Sequence, residues 1–147
     1  MKFSYYNFEE LSNKQLYYIL RIRSRVFVVE QNCIYQDIDN HDIKATHVLV
    51  EKNDKIIGYS RILKKGILYK NSCAIGRVLI DKNERRNKVG DLLMKFTIKT
   101  TKFLFKNDSI KISAQSHLKN FYSKQGFIYK GEDYLEDGIP HCAMYFD

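Results

Sequence analysis

The chain has 147 residues, a formal net charge of +8 and 44% hydrophobic residues, a length at which one domain spanning 1–147 buries its own core. No apolar run approaches a membrane span and the first residues lack the apolar centre of a signal peptide, so a cytoplasmic protein with no membrane partner is expected. Cys33, Cys73 and Cys142 are odd in number and widely spaced, which excludes a disulfide framework and a metal site, and leaves free thiols, mostly buried.

Ser12 with Gln15 forms a capping-box pattern, and Leu16, Ile19, Leu20, Arg23, Val26 and Phe27 recur at helical spacing, so a first helix is predicted over 12–29. His47–Glu51 and Lys55–Leu63 flank Asn53-Asp54, a pair suited to positive φ, and read as an antiparallel hairpin. A strand over 72–80 follows, then a basic turn, then a helix carried by Val89, Leu92, Leu93, Phe96, Ile98 and Phe103 to about 105. With the strand at 110–114 this makes a strand, helix, strand crossover, which pairs its two strands in parallel. A short helix over 117–124 stops at Gly126, and strands over 127–134 and 139–146 close the chain.

The stretch from Ile75 to Gly90 is the most informative. An apolar strand, Ile75-Gly-Arg-Val-Leu-Ile80, breaks into Asp81-Lys-Asn-Glu-Arg-Arg-Asn-Lys-Val-Gly90 and enters a helix. Such a turn aims backbone N–H groups and a positive dipole end at one spot, so a phosphate-bearing ligand is expected there. Acid is segregated from this base. No Lys or Arg lies between Gln31 and Ile43, which carries Asp37, Asp39 and Asp42, and none follows Lys130, where Glu132, Asp133, Glu136, Asp137 and Asp147 lie. If these two segments meet, the fold has a second mouth, for a cation.

The order of elements, with the basic turn and Tyr122-Ser-Lys-Gln-Gly126-Phe127, resembles the GCN5-related N-acetyltransferase (GNAT) superfamily over nearly the whole chain. The narrower likeness is to the ElaA-type acetyltransferases. It rests on Arg23-Ser-Arg-Val-Phe27-Val-Val-Glu30-Gln31-Asn-Cys33-Ile-Tyr35, Asp39-Asn-His-Asp42, His47, Gly76-Arg77-Val78, Ala114-Gln115-Ser-His117-Leu-Lys-Asn-Phe-Tyr122 and Glu136-Asp-Gly-Ile-Pro140-His141. The resemblance implies an α/β single-domain GNAT fold: a mixed central sheet with a splayed parallel strand pair and helices on both faces. It also implies acetyl-coenzyme A as cosubstrate, an amine acceptor and direct transfer without a covalent acyl-enzyme, with no metal.

By the same resemblance, Val78, Leu79 and Ile80 present free backbone groups to the pantetheine arm, like an added strand. Arg85, Arg86, Asn87, Lys88, Val89 and Gly90, with Asp91 opening the helix, correspond to the pyrophosphate loop. Lys88 stands where the family has glycine, which strains the turn if it needs positive φ. Gln115 occupies the place of an Asn that holds the pantetheine arm, and Tyr122 that of the tyrosine that protonates the coenzyme A sulfur. The carboxylate that some relatives carry on the strand 110–114 is missing. Glu30, then His141 and His117, are the candidates for the base. The two acidic segments flank the acceptor side in the family and favour a cationic amine: a small amine, a polyamine or a peptide amine.

Other readings stay open. A noncatalytic acetyl-coenzyme A sensor would need the loop but neither Tyr122 nor an acidic mouth. An acyl-homoserine lactone synthase shares the core in a longer chain. An RNA-binding module is disfavoured, because the basic residues fall in turns and on the long helix rather than among aromatics on one sheet face. The sequence also leaves a homodimer open.

Overall fold

A computed structural model describes all residues, Met1–Asp147. One seven-stranded sheet runs in the order β1-β2-β3-β4-β5-β7-β6. Its strands are β1 (Lys2–Asn7), β2 (Thr46–Lys52), β3 (Lys55–Leu63), β4 (Cys73–Ile80), β5 (Ile110–Gln115), β6 (Ile128–Glu136) and β7 (Ile139–Phe146). Only β4 and β5 run parallel. The helices are α1 (Asn13–Arg23), α2 (Val89–Leu104) and α3 (Lys119–Lys124). The Asn53-Asp54 hairpin has φ of 51° and 61° at its two central residues, the geometry that matches the twist of the flanking strands.

Alternation along the strands builds a core on each face. On one side Val48, Val50, Ile62, Ile75, Ile112 and Met144 meet Val89, Leu93, Met94 and Ile98 of α2 and Tyr122 of α3. On the other, Leu49, Tyr59 and Leu79 meet Ile19, Ile22, Val26 and Phe27. Gly126 joins α3 to β6 at φ +105°, and a Cβ there would meet Phe146 at 2.8 Å, so no other residue fits without displacing the aromatic packing under Tyr122.

Three elements differ from expectation. β1 was not anticipated, because Lys-Phe-Ser-Tyr-Tyr-Asn lacks clear alternation and lies at a half-covered sheet edge. The first helix is α-helical only to Arg23 and continues as a π-helix, Ser24–Glu30, capped from Ser12 as predicted. The short helix before Gly126 opens as a 3-10 turn, Ser116–Leu118.

The parallel pair is barely a pair. β4 and β5 match only at Cys73↔Ile110 and Ala74↔Lys111, and beyond that they diverge. The cause is a bulge: Arg61 pairs with Gly76 and Tyr59 with Leu79, so β4 holds an extra residue, and Arg77 takes φ 52°. An extra residue bends and twists its strand, which turns the second half of β4 away from β5. Gly76 inside an apolar strand was the sequence signal for it.

Candidate active site

The opened half of β4 leads into a cleft of about 330 Å³ lined by Ile80, Arg85, Arg86, Lys88, Gly90, Asp91 and Phe121. It lies at the N-terminus of α2, whose first N–H groups have no intrahelical partner. The segment before the helix is left-handed at Arg86 (φ 73°) and at the N-cap Lys88 (φ 60°), so the turn does demand the conformation glycine would supply. A Cβ at Gly90 would meet the Phe121 ring at 3.6 Å and Ile80 at 3.9 Å, an ordinary contact for a methyl but not for a larger side chain. Asp91 puts a carboxylate into this basic cleft, and Gln125 Nε2 donates to its Oδ1 at 2.7 Å. Asn87 and Val89 complete the turn, Val89 pointing into the core.

Val78 and Ile80 pack partly against the α2-side core while Leu79 is buried on the α1 side, so their backbones form the open edge. Arg85 lies along that edge in this structure. Its Nε donates to the Ile80 carbonyl at 3.1 Å and its Nη1 is 2.7 Å from Glu30 Oε2. Glu30, expected to face a cleft, is not among the residues lining this one; it meets it only through its ion pair with Arg85 of the basic turn.

Tyr122 is 8% exposed, with its ring edge-on to Phe121 and Phe127. Its hydroxyl makes no hydrogen bond within the protein, yet is not among the sealed-off polar atoms. Burial raises its pKa to about 12, which keeps it a proton donor through the neutral range.

A second group of candidate residues gathers around the ends of β5, β6 and β7. Gln115 is in register with His141, and its Nε2 is 3.5 Å from Gln31 Oε1 on the loop after the π-helix. Cys33 Sγ on the same loop is 3.9 Å from the Asp137 carbonyl in the β6–β7 turn. His141 is buried, with Nδ1 2.7 Å from the Ile139 carbonyl and Nε2 3.4 Å from Glu136. His117 is exposed in its 3-10 turn and bonds to nothing. The structure thus brings His141 and Gln115 together, sets Glu30 with Arg85, and leaves His117 apart.

The expected acidic mouth is only half present. Asp37, Asp39 and Asp42 do not face an acceptor; they are consumed by three arginines. Arg23 bonds Asp37 and Asp42 at 3.1 and 2.7 Å, Arg61 bonds Asp39 and Asp42 at 2.8 and 3.0 Å, and Arg77 bonds Asp37 and Asp39 at 2.8 and 3.3 Å. Arg23, Arg61, Asp37 and Asp42 are buried and require partners, Arg77 and Asp39 complete the set at its partly exposed edge, and three against three cancel. Arg23 stands on the apolar stripe of α1, and a cation at such a position was the signal that carboxylates must come to it. The remaining acid, Glu132, Asp133, Glu136 and Asp137, lies on the β6–β7 hairpin. The rim beside it carries exposed Val29, Ile34 and Leu135.

A strand pair opened by a bulge, a basic helix N-terminus at its end and a tyrosine beside it define the acetyltransferase class that the resemblance implied. The sequence profile of the acetyltransferase (GNAT) domain matches residues 9–147, and the chain belongs to that family. It is 46% identical over 137 residues to protein ElaA of Escherichia coli strain K12, covering 92% of this chain and 89% of that one. The crystal structure of Escherichia coli ElaA superposes with a TM-score of 0.93 over 100% of both chains, at 42% identity. An acyl-CoA N-acyltransferase from Pseudomonas aeruginosa also gives a TM-score of 0.93 over 100% of both chains, at 32% identity. An aminoglycoside 6'-N-acetyltransferase crystallised with coenzyme A shares the fold at a TM-score of 0.72 and 15% identity, covering 99% of this chain and 96% of that one.

Proposed function

We propose that this protein transfers the acetyl group of acetyl-coenzyme A to an amine by direct attack in a ternary complex. The observation that carries the reading is the open edge of β4 at Val78, Leu79 and Ile80 running into the cationic cleft of Arg85, Arg86 and Lys88, with the unpartnered Tyr122 hydroxyl on the neighbouring helix. The edge pairs with the pantetheine arm through its backbone, and the helix N-terminus and its cations hold the pyrophosphate. Gln115 orients the arm from β5.

Tyr122 supplies the proton that the departing thiolate needs; burial keeps its hydroxyl protonated until then. Glu30, His141 and His117 are the bases the sequence offers, and of these His141 sits nearest the acceptor wall formed by Gln115 and Gln31. The acceptor is a primary amine received on the β6–β7 side, where the unneutralised acid remains.

Titration calorimetry with acetyl-coenzyme A, then thiol release across a panel of amines, tests the reading. Binding and release on one amine class are expected. Tyr122→Phe keeps coenzyme affinity within about twofold and lowers turnover by roughly a hundredfold, the usual worth of a placed proton donor. Full turnover in that variant, with chemistry limiting, removes Tyr122 from the mechanism.

A further inference from the structure

We infer that Glu136 is the carboxylate that takes the acceptor's proton, an inference that rests on the acetyl-transfer reading above. Glu136 ends β6 with its side chain 50% exposed. Ser113 Oγ donates to its Oε1 at 3.0 Å, and His141 Nε2 faces its Oε2 at 3.4 Å. Tyr134 locks both supports: its hydroxyl donates to Ser113 Oγ at 2.5 Å and its ring stacks on His141 at 6.3 Å and 17°. The carboxylate is thus oriented from β5 and β7, yet open to solvent.

Of the other carboxylates on this side, Asp137 lies in the β6–β7 turn with no side-chain support, only its carbonyl meeting Cys33, and the rest are committed elsewhere. Asp37, Asp39 and Asp42 are neutralised by arginines, Glu30 is held by Arg85, and Glu132 and Asp133 accept from Tyr145 and Tyr129. No lysine or arginine bridges Glu136, whose only side-chain partners are Ser113 and His141. The titratable groups that face it are His141 from β7, Tyr134 from its own strand and Tyr69 from the segment before β4. Lys111 is turned onto the rings of Tyr69 and Tyr145.

The pair also has a place for the proton. Nδ1 of His141 donates to the Ile139 carbonyl, which fixes the ring with Nε2 turned towards Glu136. A proton arriving on the carboxyl can therefore be shared with Nε2 across a gap that tightens when substrate excludes water. Ser113 lies two residues before Gln115, on the same face of β5 and in register with Ala143, on the side where the acceptor loop meets the sheet.

Glu136 takes one proton from the acceptor's ammonium and passes it to solvent, and the freed amine nitrogen forms the C–N bond as the C–S bond breaks. The nitrogen loses its second proton to solvent, and the thiolate receives one from Tyr122, which is refilled from solvent. The products are one amide, one thiol and one net proton.

The test compares wild type with Glu136→Gln, using acetyl-coenzyme A and a panel of benzylamine, spermidine and an alanine-initiated tripeptide. In the variant, acetyl-coenzyme A affinity and melting temperature stay unchanged, thiol release at pH 7 falls about a hundredfold, and the rate recovers towards pH 9.5 as free amine becomes abundant. Ser113→Ala, which keeps the carboxylate but loosens it, lowers kcat about tenfold without raising KM. Release within threefold of wild type in Glu136→Gln overturns the assignment, as does an equal loss at every pH. Acetyl-coenzyme A binding with release on none of the amines by wild type overturns the transfer reading itself, and the assignment with it.

Discussion

At the scale of single residues, Lys88 shows two demands on one position with opposite sign. As the N-cap of α2 it holds φ 60° and ψ 15°, a conformation that costs a residue with a Cβ roughly 1–2 kcal/mol. It also places an ammonium group on the wall of the cationic cleft. Lys88→Gly relieves the strain but frees the unfolded chain, so stability rises by up to about 1 kcal/mol. The same change removes a cation from the cleft, and acetyl-coenzyme A affinity is expected to fall about two- to fivefold, the worth of one solvent-exposed charge contact of roughly 0.5–1 kcal/mol. A thermal melt and a calorimetric titration on one preparation check both signs. Unchanged affinity shows that the ammonium does not reach the phosphates, and a lowered melting temperature shows that the backbone of Lys88 is not strained.

At the scale of elements, the π-helix Ser24–Glu30 is tied at both ends to the basic turn that precedes α2. Arg25 meets Asp81 at 3.1 Å and Glu30 meets Arg85 at 2.7 Å. A pyrophosphate that recruits Arg85 must compete with Glu30, and Glu30 also adds a negative charge beside an anion site. Glu30→Gln should therefore tighten acetyl-coenzyme A binding by about two- to fivefold, the span of an exposed ion pair worth roughly 0.5–1 kcal/mol. In an Arg85→Gln background the gain should shrink to the residual long-range effect. Weaker binding in Glu30→Gln alone sinks the competition. The elements themselves were legible: α2 by its period, the β2–β3 hairpin by Asn53-Asp54, the end of α3 by Gly126. The basic turn between β4 and α2 was legible as a turn because its charge and glycine are contiguous. Glu30 with Arg85, and Glu136 with Ser113 and His141, were not, since strand register and helix placement alone bring such distant positions together. The π-helix escaped because its apolar spacing over Val26 and Phe27 still satisfies a helical pattern.

At the scale of the molecule, the buried arginine–aspartate lattice ties α1, β3 and β4 to the segment 37–42, and it holds His47 in the neutral form. His47 is fully buried, with Nε2 donating to the Asp42 carbonyl at 2.9 Å and, in the neutral ring, Nδ1 accepting from the Tyr59 hydroxyl at 2.7 Å. Burial, with Arg23 and Arg61 nearby, lowers its pKa below the ordinary 6.5. The unfolded chain then binds a proton below about pH 6.5 that the folded chain refuses, so stability is full above that pH and declines as pH falls, by at most about 1.4 kcal/mol per unit. A second decline follows from the carboxylates. Burial alone would raise the Asp39 pKa, but the Arg61 fork, the His41 N–H and Arg77 bring it down to about 2, and Arg23 and Arg61 lower Asp42 in the same way against its own burial. These groups stabilise the fold above pH 3.8, and their contribution is lost as pH falls towards 2. Urea midpoints measured from pH 8 to pH 3 should therefore fall in two stages, the upper one beginning near pH 6.5. His47→Asn, though less stable at pH 8, should abolish the upper stage and keep the lower. A flat midpoint between pH 7 and pH 5 in the wild type shows that the folded lattice accepts a proton on His47 after all, and that its three arginines do not exclude one.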